Sequence, residues 1–147
     1  MAFLLDTVTL SEFRRAENAD PAVFRWQASL LGQPVYLSVI TLNEIWYGIR
    51  KIENRDPAFA TLLGEWYANL IAQSDLFLIV PVSRQIAESA AELRATHGTP
   101  YNDALIAATA QVHGLTLATR NASDFAQTGI SIVNPWEGGV NEAHQGQ

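Results

Sequence analysis

Five short apolar runs divide the chain: 3–5, 35–37, 76–82, 115–118 and 131–133. None alternates cleanly between apolar and polar positions, which is the pattern of strands buried on both faces. Helical spacing fills the intervals. Leu10 and Phe13 stand three apart in a predicted helix over 9–15. Asp20-Pro21 and Asp56-Pro57 each supply an N-cap followed by proline in the first turn. The helix from Pro21 runs to about Leu31 and stops at Gly32-Gln33-Pro34. The helix over 39–52 carries Ile45, Ile49 and Ile52 as its apolar stripe, with Trp46 beside it. The helix after Pro57 carries Phe59, Leu62, Leu63, Trp66, Tyr67 and Leu70 at spacings of three and four. Ser83 caps the next helix, which closes near His97-Gly98. Thr99-Pro100 opens the last helix, which runs to Val112 and closes at His113-Gly114.

Strands alternating with helices predict an α/β fold: one Rossmann-like domain, its central sheet mostly parallel with four to five strands, flanked by helices. The predicted domain spans 1–136. Residues 137–147 are rich in Gly, Asn and Gln, and a polar, disordered tail is expected there. No internal repeat or linker suggests a second domain.

Composition narrows the chemistry. Hydrophobic residues make up 48% of the 147, enough for a packed core and too many for a disordered chain. Cysteine is absent, which excludes disulfides, zinc-thiolate sites and iron–sulfur clusters. No apolar run approaches a membrane span and no signal peptide is evident, so a soluble cytoplasmic protein without membrane contact is expected. The net charge of −6 argues against a broad nucleic-acid-binding surface. That charge is unevenly spread. The first 55 residues hold six basic and six acidic side chains, leaving three basic and nine acidic for the rest.

Dinucleotide-binding glycines, a Walker lysine, a nucleophile elbow and a His-Glu-x-x-His pair are all missing. The histidines are scattered, and His97 and His113 stand at helix ends, where they complement the dipole. What remains is carboxylates at element ends. Asp6 ends the first strand, Glu44 lies early in the third helix, Asp103 opens the helix after Pro100, and Asp124 follows the fourth strand. In a parallel sheet the strand carboxyl ends and helix amino ends share one edge, so these four acids can converge. Clustered carboxylates repel unless a cation sits among them, and hard oxygen ligands suit Mg²⁺ or Mn²⁺. Each acid also has an ordinary reading. Asp6 suits an N-cap, Glu44 completes a Thr41-x-x-Glu capping box, Asp103 suits a helix N-terminus, and Asp124 suits a turn.

Five segments then carry a resemblance. They are Phe-Leu-Leu-Asp-Thr at 3–7 with Leu-Ser-Glu-Phe-Arg-Arg at 10–15; Ser-Val-Ile-Thr-Leu-Asn-Glu-Ile-Trp-Tyr-Gly-Ile at 38–49; Asn-Asp-Ala-Leu-Ile-Ala-Ala-Thr-Ala at 102–110 with His-Gly-Leu-Thr-Leu at 113–117; Thr-Arg-Asn-Ala-Ser-Asp-Phe at 119–125; and Asn-Pro-Trp at 134–136. In this order they resemble the PIN-domain ribonucleases of the VapC/FitB-like toxin group. The resemblance implies an acidic quartet of Asp6, Glu44, Asp103 and Asp124 holding Mg²⁺ or Mn²⁺. Asp6 and Asp103 are then direct ligands, and Glu44 and Asp124 act through water. Thr7 and Asn121 match positions that shape the site. One departure is Val8, where the group commonly has an asparagine that supports the site by hydrogen bonding.

The reading is a metal-dependent endoribonuclease, the toxin of a toxin–antitoxin pair, in which an activated water cleaves RNA. Arg14, Arg15, Arg50, Lys51 and Arg120 are the candidate RNA contacts. The expected partners are RNA, a cognate antitoxin and a second copy of the chain, with a larger toxin–antitoxin assembly also open. The alternative is a catalytically weak regulatory module whose antitoxin complex binds operator DNA. An aspartyl-phosphate phosphatase needs a second acid at position 8, and Val8 speaks against it. Trp46, Tyr47, Trp66 and Tyr67 are expected to be mostly core, with some serving a dimer face or antitoxin groove.

Overall fold

The computed structural model describes residues 1–138 and 140–141. Five parallel strands form the centre: β1 (Phe3–Leu5), β2 (Val35–Ser38), β3 (Phe77–Val80), β4 (Thr116–Ala118) and β5 (Ile132–Asn134). A two-residue strand, β6 (Val140–Asn141), adds antiparallel to β5. The order is β3-β2-β1-β4-β5-β6. β6 falls inside the expected tail; the rest of that tail lies outside the described residues.

Six helices cover the sheet: α1 (Thr7–Arg14), α2 (Pro21–Ser29), α3 (Val39–Ile52), α4 (Pro57–Ala72), α5 (Arg84–His97) and α6 (Tyr101–His113). Successive strand residues feed opposite faces. Leu4, Leu117 and Ile132 join the core beneath α5 and α6, while Leu5, Ala118 and Val133 join the core beneath α1, α2 and α4. Leu4, Leu5, Leu37 and Leu117 have no exposed surface. Burying each contributes about 1.5–3 kcal/mol before conformational entropy is counted.

α6 has seven consecutive buried residues, Ala104 to Ala110, four of them alanine. A helix apolar on every side must be enclosed. Here α5 packs along one flank, and β4 and α3 make further contacts. The last turns of α5 and α6 end at Gly98 and Gly114, both left-handed, as the His-Gly pairs predict.

The observed boundaries differ in instructive ways. α1 begins at Thr7, two residues earlier than the apolar spacing suggests, because Asp6 caps it by accepting from Thr9 N at 2.8 Å. The capping-box reading of Glu44 is overturned. Ser38 caps α3 through Ile40 N, which leaves Thr41 buried inside the helix and Glu44 in its second turn. The core expectation for the aromatics holds only for Trp66, which packs against the core beneath α1, α2 and α4. Trp46 and Tyr47 are 44% and 63% exposed, and Trp66 and Tyr67 are only partly buried. Trp46 stacks at a tilt on Tyr67 with centroids 5.2 Å apart, so the pair covers itself on the outer side of α3 and α4.

Candidate active site at the sheet switch point

From β1 the chain moves one way to β2 and β3, then returns to the other side for β4 and β5. The crevice beyond the carboxyl ends of β1 and β4 is therefore the topological switch point, where open α/β sheets place ligands. Asp6 emerges there directly from β1. Its amide donates to Ala118 O at 3.1 Å, stitching it to the end of β4. The Thr9 hydroxyl donates to the same carbonyl at 2.9 Å. The Asp6 carboxylate accepts from Thr9 N and from the fully buried Thr119 hydroxyl. Burial nevertheless outweighs these donors and raises the Asp6 pKa above its ordinary value, with a smaller push from the charge of Glu44. Asp6 thus caps α1 while its carboxylate stands at the switch-point crevice, so the capping role does not remove it from the candidate site.

Glu44 reaches the crevice from α3. Its two oxygens take one donor each: Thr7 Oγ1 at 2.5 Å and Asn102 Nδ2 at 3.3 Å. Thr7, whose single hydroxyl hydrogen goes to Glu44, also lies 3.2 Å from the buried Thr41 hydroxyl. Residues from α1, α3 and α6 therefore fix one carboxylate. Asp103 stands in the first turn of α6, a helix end with no side-chain cap. One side of Asp103 is open to water. Partial desolvation on the other side raises its pKa, and the charges of Glu44, Asp6 and Asp124 raise it further. Asp124 sits in a 3-10 turn (Ala122–Thr128) after β4. Asn121 shapes that turn: its amide donates to Thr119 Oγ1 at 3.1 Å, and its carbonyl accepts from Asp124 N at 3.0 Å.

All four sequence-predicted acids are thus electrostatically coupled at one edge. Among the described residues no arginine or lysine pairs with any of them; the ion pairs join Arg15 to Glu12, Arg50 to Glu53 and Arg84 to Glu88. No three His, Asp or Glu side chains among the described residues are gathered tightly enough to chelate one ion directly. The donor set fits a hard divalent cation that keeps part of its water shell and takes one or two carboxylates.

The candidate cations separate. Arg14 lies over the Phe59 ring at 5.9 Å and borders a cavity of about 350 Å³ shared with Thr7, Glu44 and Ile49. Arg120 lies over Trp136 at 5.3 Å, two residues past β4. Lys51 lies over Tyr47 at 5.7 Å, while Arg15 and Arg50 are held in the local ion pairs above. The sequence reading missed Thr9, Thr119 and Asn102 as supports. Their signal is position: a threonine directly after a strand, and an amide beside an acid in a first helical turn.

A parallel sheet with helices on both faces, and with four coupled acids at the switch point, defines an α/β domain with an acidic carboxyl edge. The family model for the PIN domain matches residues 3–130, and the chain belongs to the PIN-domain family. It is 35% identical to VapC ribonuclease Y4jK of Sinorhizobium fredii over 138 residues, 91% of this chain and 97% of that one. It is 34% identical to Toxin FitB of Neisseria gonorrhoeae, covering 90% and 97% respectively. Among solved structures, FitAB bound to an IR36 DNA fragment aligns with a TM-score of 0.65 at 30% identity, covering 91% of this chain and 95% of that one.

Proposed function

We propose that this protein is a metal-dependent endoribonuclease and the toxin of a toxin–antitoxin pair. The observation that carries the reading is the set of four coupled carboxylates at the switch point with no cationic partner among the described residues. The ribonuclease and toxin names of its relatives support it. Asp6 and Asp103 would hold Mg²⁺ or Mn²⁺ directly, with Glu44 and Asp124 acting through water. The bound ion supplies a water of lowered pKa and positive charge against the scissile phosphate. Thr9 and Thr119 hold Asp6 at the end of β1, and Thr7 and Asn102 hold Glu44 so that both its oxygens stay aligned. No histidine stands among these residues, so proton transfer falls to the carboxylates and water.

The FitAB–DNA neighbour supports a protein partner that brings DNA-binding capacity, since this chain carries a net charge of −6. The exposed Trp46 and Tyr47 on α3 support a homodimer face. Among the described residues no helix is long and apolar enough to cross a membrane, consistent with a cytoplasmic toxin.

The test is cleavage of defined tRNA and rRNA by protein freed of any partner, with Mg²⁺ or Mn²⁺ and with EDTA. Wild type cuts only with the ion. Asp6→Asn and Asp103→Asn each lose at least about 10³-fold in rate, a loss of roughly 4 kcal/mol in transition-state stabilisation. Full activity in both variants would overturn the mechanism.

A further inference from the structure

Arg120 is one of four cations held over an aromatic ring without an ion pair among the described residues, and the one nearest in sequence to the end of β4. Its guanidinium lies over the indole of Trp136, and among the described residues no carboxylate pairs with it and no acceptor takes its side-chain N–H groups. A cation over a ring uses its face; the in-plane fork of N–H donors stays free for an anion. The backbone beneath it is tied down. Arg120 O accepts from Asn134 Nδ2 at 3.4 Å, and the next amide donates to Thr119 Oγ1.

Arg120 borders a polar concavity of about 340 Å³, lined also by Trp136, Arg15, Asn18, Glu12 and Asp20. Its acids are already engaged. Glu12 accepts from Asp20 N at 2.7 Å and pairs with Arg15 at 3.4 Å, and Asp20 caps α2 through Ala22 N. Among the described residues, the cation facing the concavity without an ion pair is therefore the Arg120 guanidinium. The acid edge is close by. Ala118, whose carbonyl receives the Asp6 amide, is only two residues before Arg120, at most about 7 Å of chain.

We propose that this concavity is a subsite for the RNA strand, in which Arg120 holds the phosphate of a nucleotide flanking the scissile bond and Trp136 keeps the guanidinium in place. The subsite deepens the ribonuclease reading and rests on it. An acid edge repels RNA, so the strand needs an anchor beside the carboxylates rather than among them. A phosphate contact weakens binding for all sequences alike when it is lost, and it lowers the salt dependence.

The test is fluorescence anisotropy of labelled single-stranded RNA in EDTA, which reads binding without cleavage. Arg120→Ala weakens binding about fivefold to tenfold and lowers the slope of log affinity against log salt by about 0.7. Arg120→Lys keeps the slope and recovers part of the affinity, because it keeps the charge and loses the fork. Arg84→Ala removes one charge from the start of α5, outside this concavity, and leaves binding within about twofold. Wild-type binding and slope in Arg120→Ala, or an equal loss in Arg84→Ala, overturns the subsite. Cleavage by the wild type is scored separately. A chain that binds RNA through Arg120 and never cuts it refutes the ribonuclease reading, whereas a chain that cuts RNA with Arg120→Ala binding normally refutes the subsite alone.

Discussion

Thr119→Val isolates one support of the site. Thr119 has no exposed surface; its hydroxyl donates to the Asp6 carboxylate and accepts from Asn121 N at 3.1 Å. Valine keeps the branched shape and removes both bonds. A hydrogen bond to a charged group is worth about 1.5–3 kcal/mol, and the exposed Asn121 end recovers its partner from water. The expected loss is about 2 kcal/mol at neutral pH, or roughly 6 °C in melting temperature for a domain of this size. The loss depends on pH, with a definite sign. Burial already holds the Asp6 pKa above its ordinary value, and removing a donor to the carboxylate raises it further. Above the folded pKa of both proteins Asp6 is ionised and the full loss is felt. As pH falls through that value the carboxyl becomes protonated in both, and the difference between them shrinks. Urea unfolding in EDTA over a pH series from about 7.5 downward measures it. A loss under about 0.5 kcal/mol at neutral pH, or one that stays constant down the whole series, refutes the assignment of Thr119 as a charge-assisted support of Asp6.

Three further outcomes follow from the same geometry. The raised pKa of Asp103, from desolvation and then from Glu44, Asp6 and Asp124, means the native state without metal binds more protons than the unfolded one, so stability falls as pH rises from the ordinary carboxylate value through the raised one. Asp103→Asn flattens that fall in a pH series of thermal melts; an unchanged slope counts against the coupling. Mn²⁺ at about 100 times its dissociation constant stabilises the wild type by about 2.7 kcal/mol, near 8 °C, and leaves the Asp6→Asn/Asp103→Asn double variant unmoved in the same melts. Asn102→Ala removes one of the two donors to Glu44 and lowers kcat about tenfold with KM little changed, which steady-state cleavage of a short RNA resolves; a pure KM effect would place Asn102 in binding instead.

The elements were legible because their signals are local. Apolar runs marked all five parallel strands, Asp-Pro pairs marked the starts of α2 and α4, and His-Gly marked the ends of α5 and α6. The four acids were legible because a parallel sheet obliges strand ends and helix starts to meet. Support for those acids was not, since Thr119 reaches Asp6 and Asn102 reaches Glu44 only once distant segments have packed. Glu44 was given a capping alternative because Thr41-x-x-Glu matches a local pattern, yet Ser38 sits earlier and takes the cap. Trp46, Tyr47 and Tyr67 misled for a different reason. Helical spacing marks a stripe, but Trp and Tyr tolerate water at one end, and Trp46 with Tyr67 forms an outer stack rather than a core layer. At Val8, 47% exposed on α1, no amide is present, and donors to Glu44 come instead from Thr7 and Asn102.

The bonds that Ala118 O receives from Asp6 and Thr9 also bear on the order of events during synthesis. The Thr9 bond joins residues 109 apart in sequence, and β1 lies between β2 and β4. Pairings of such separation carry a high loop-closure cost and form late. A growing chain that has completed β1, β2 and β3 already contains Asp6 and Glu44, but it lacks α6 and β4 and therefore Asp103, Thr119 and Asp124. The acid edge is thus a property of the finished chain. A product truncated before α6 has two of the four carboxylates and no floor to hold them.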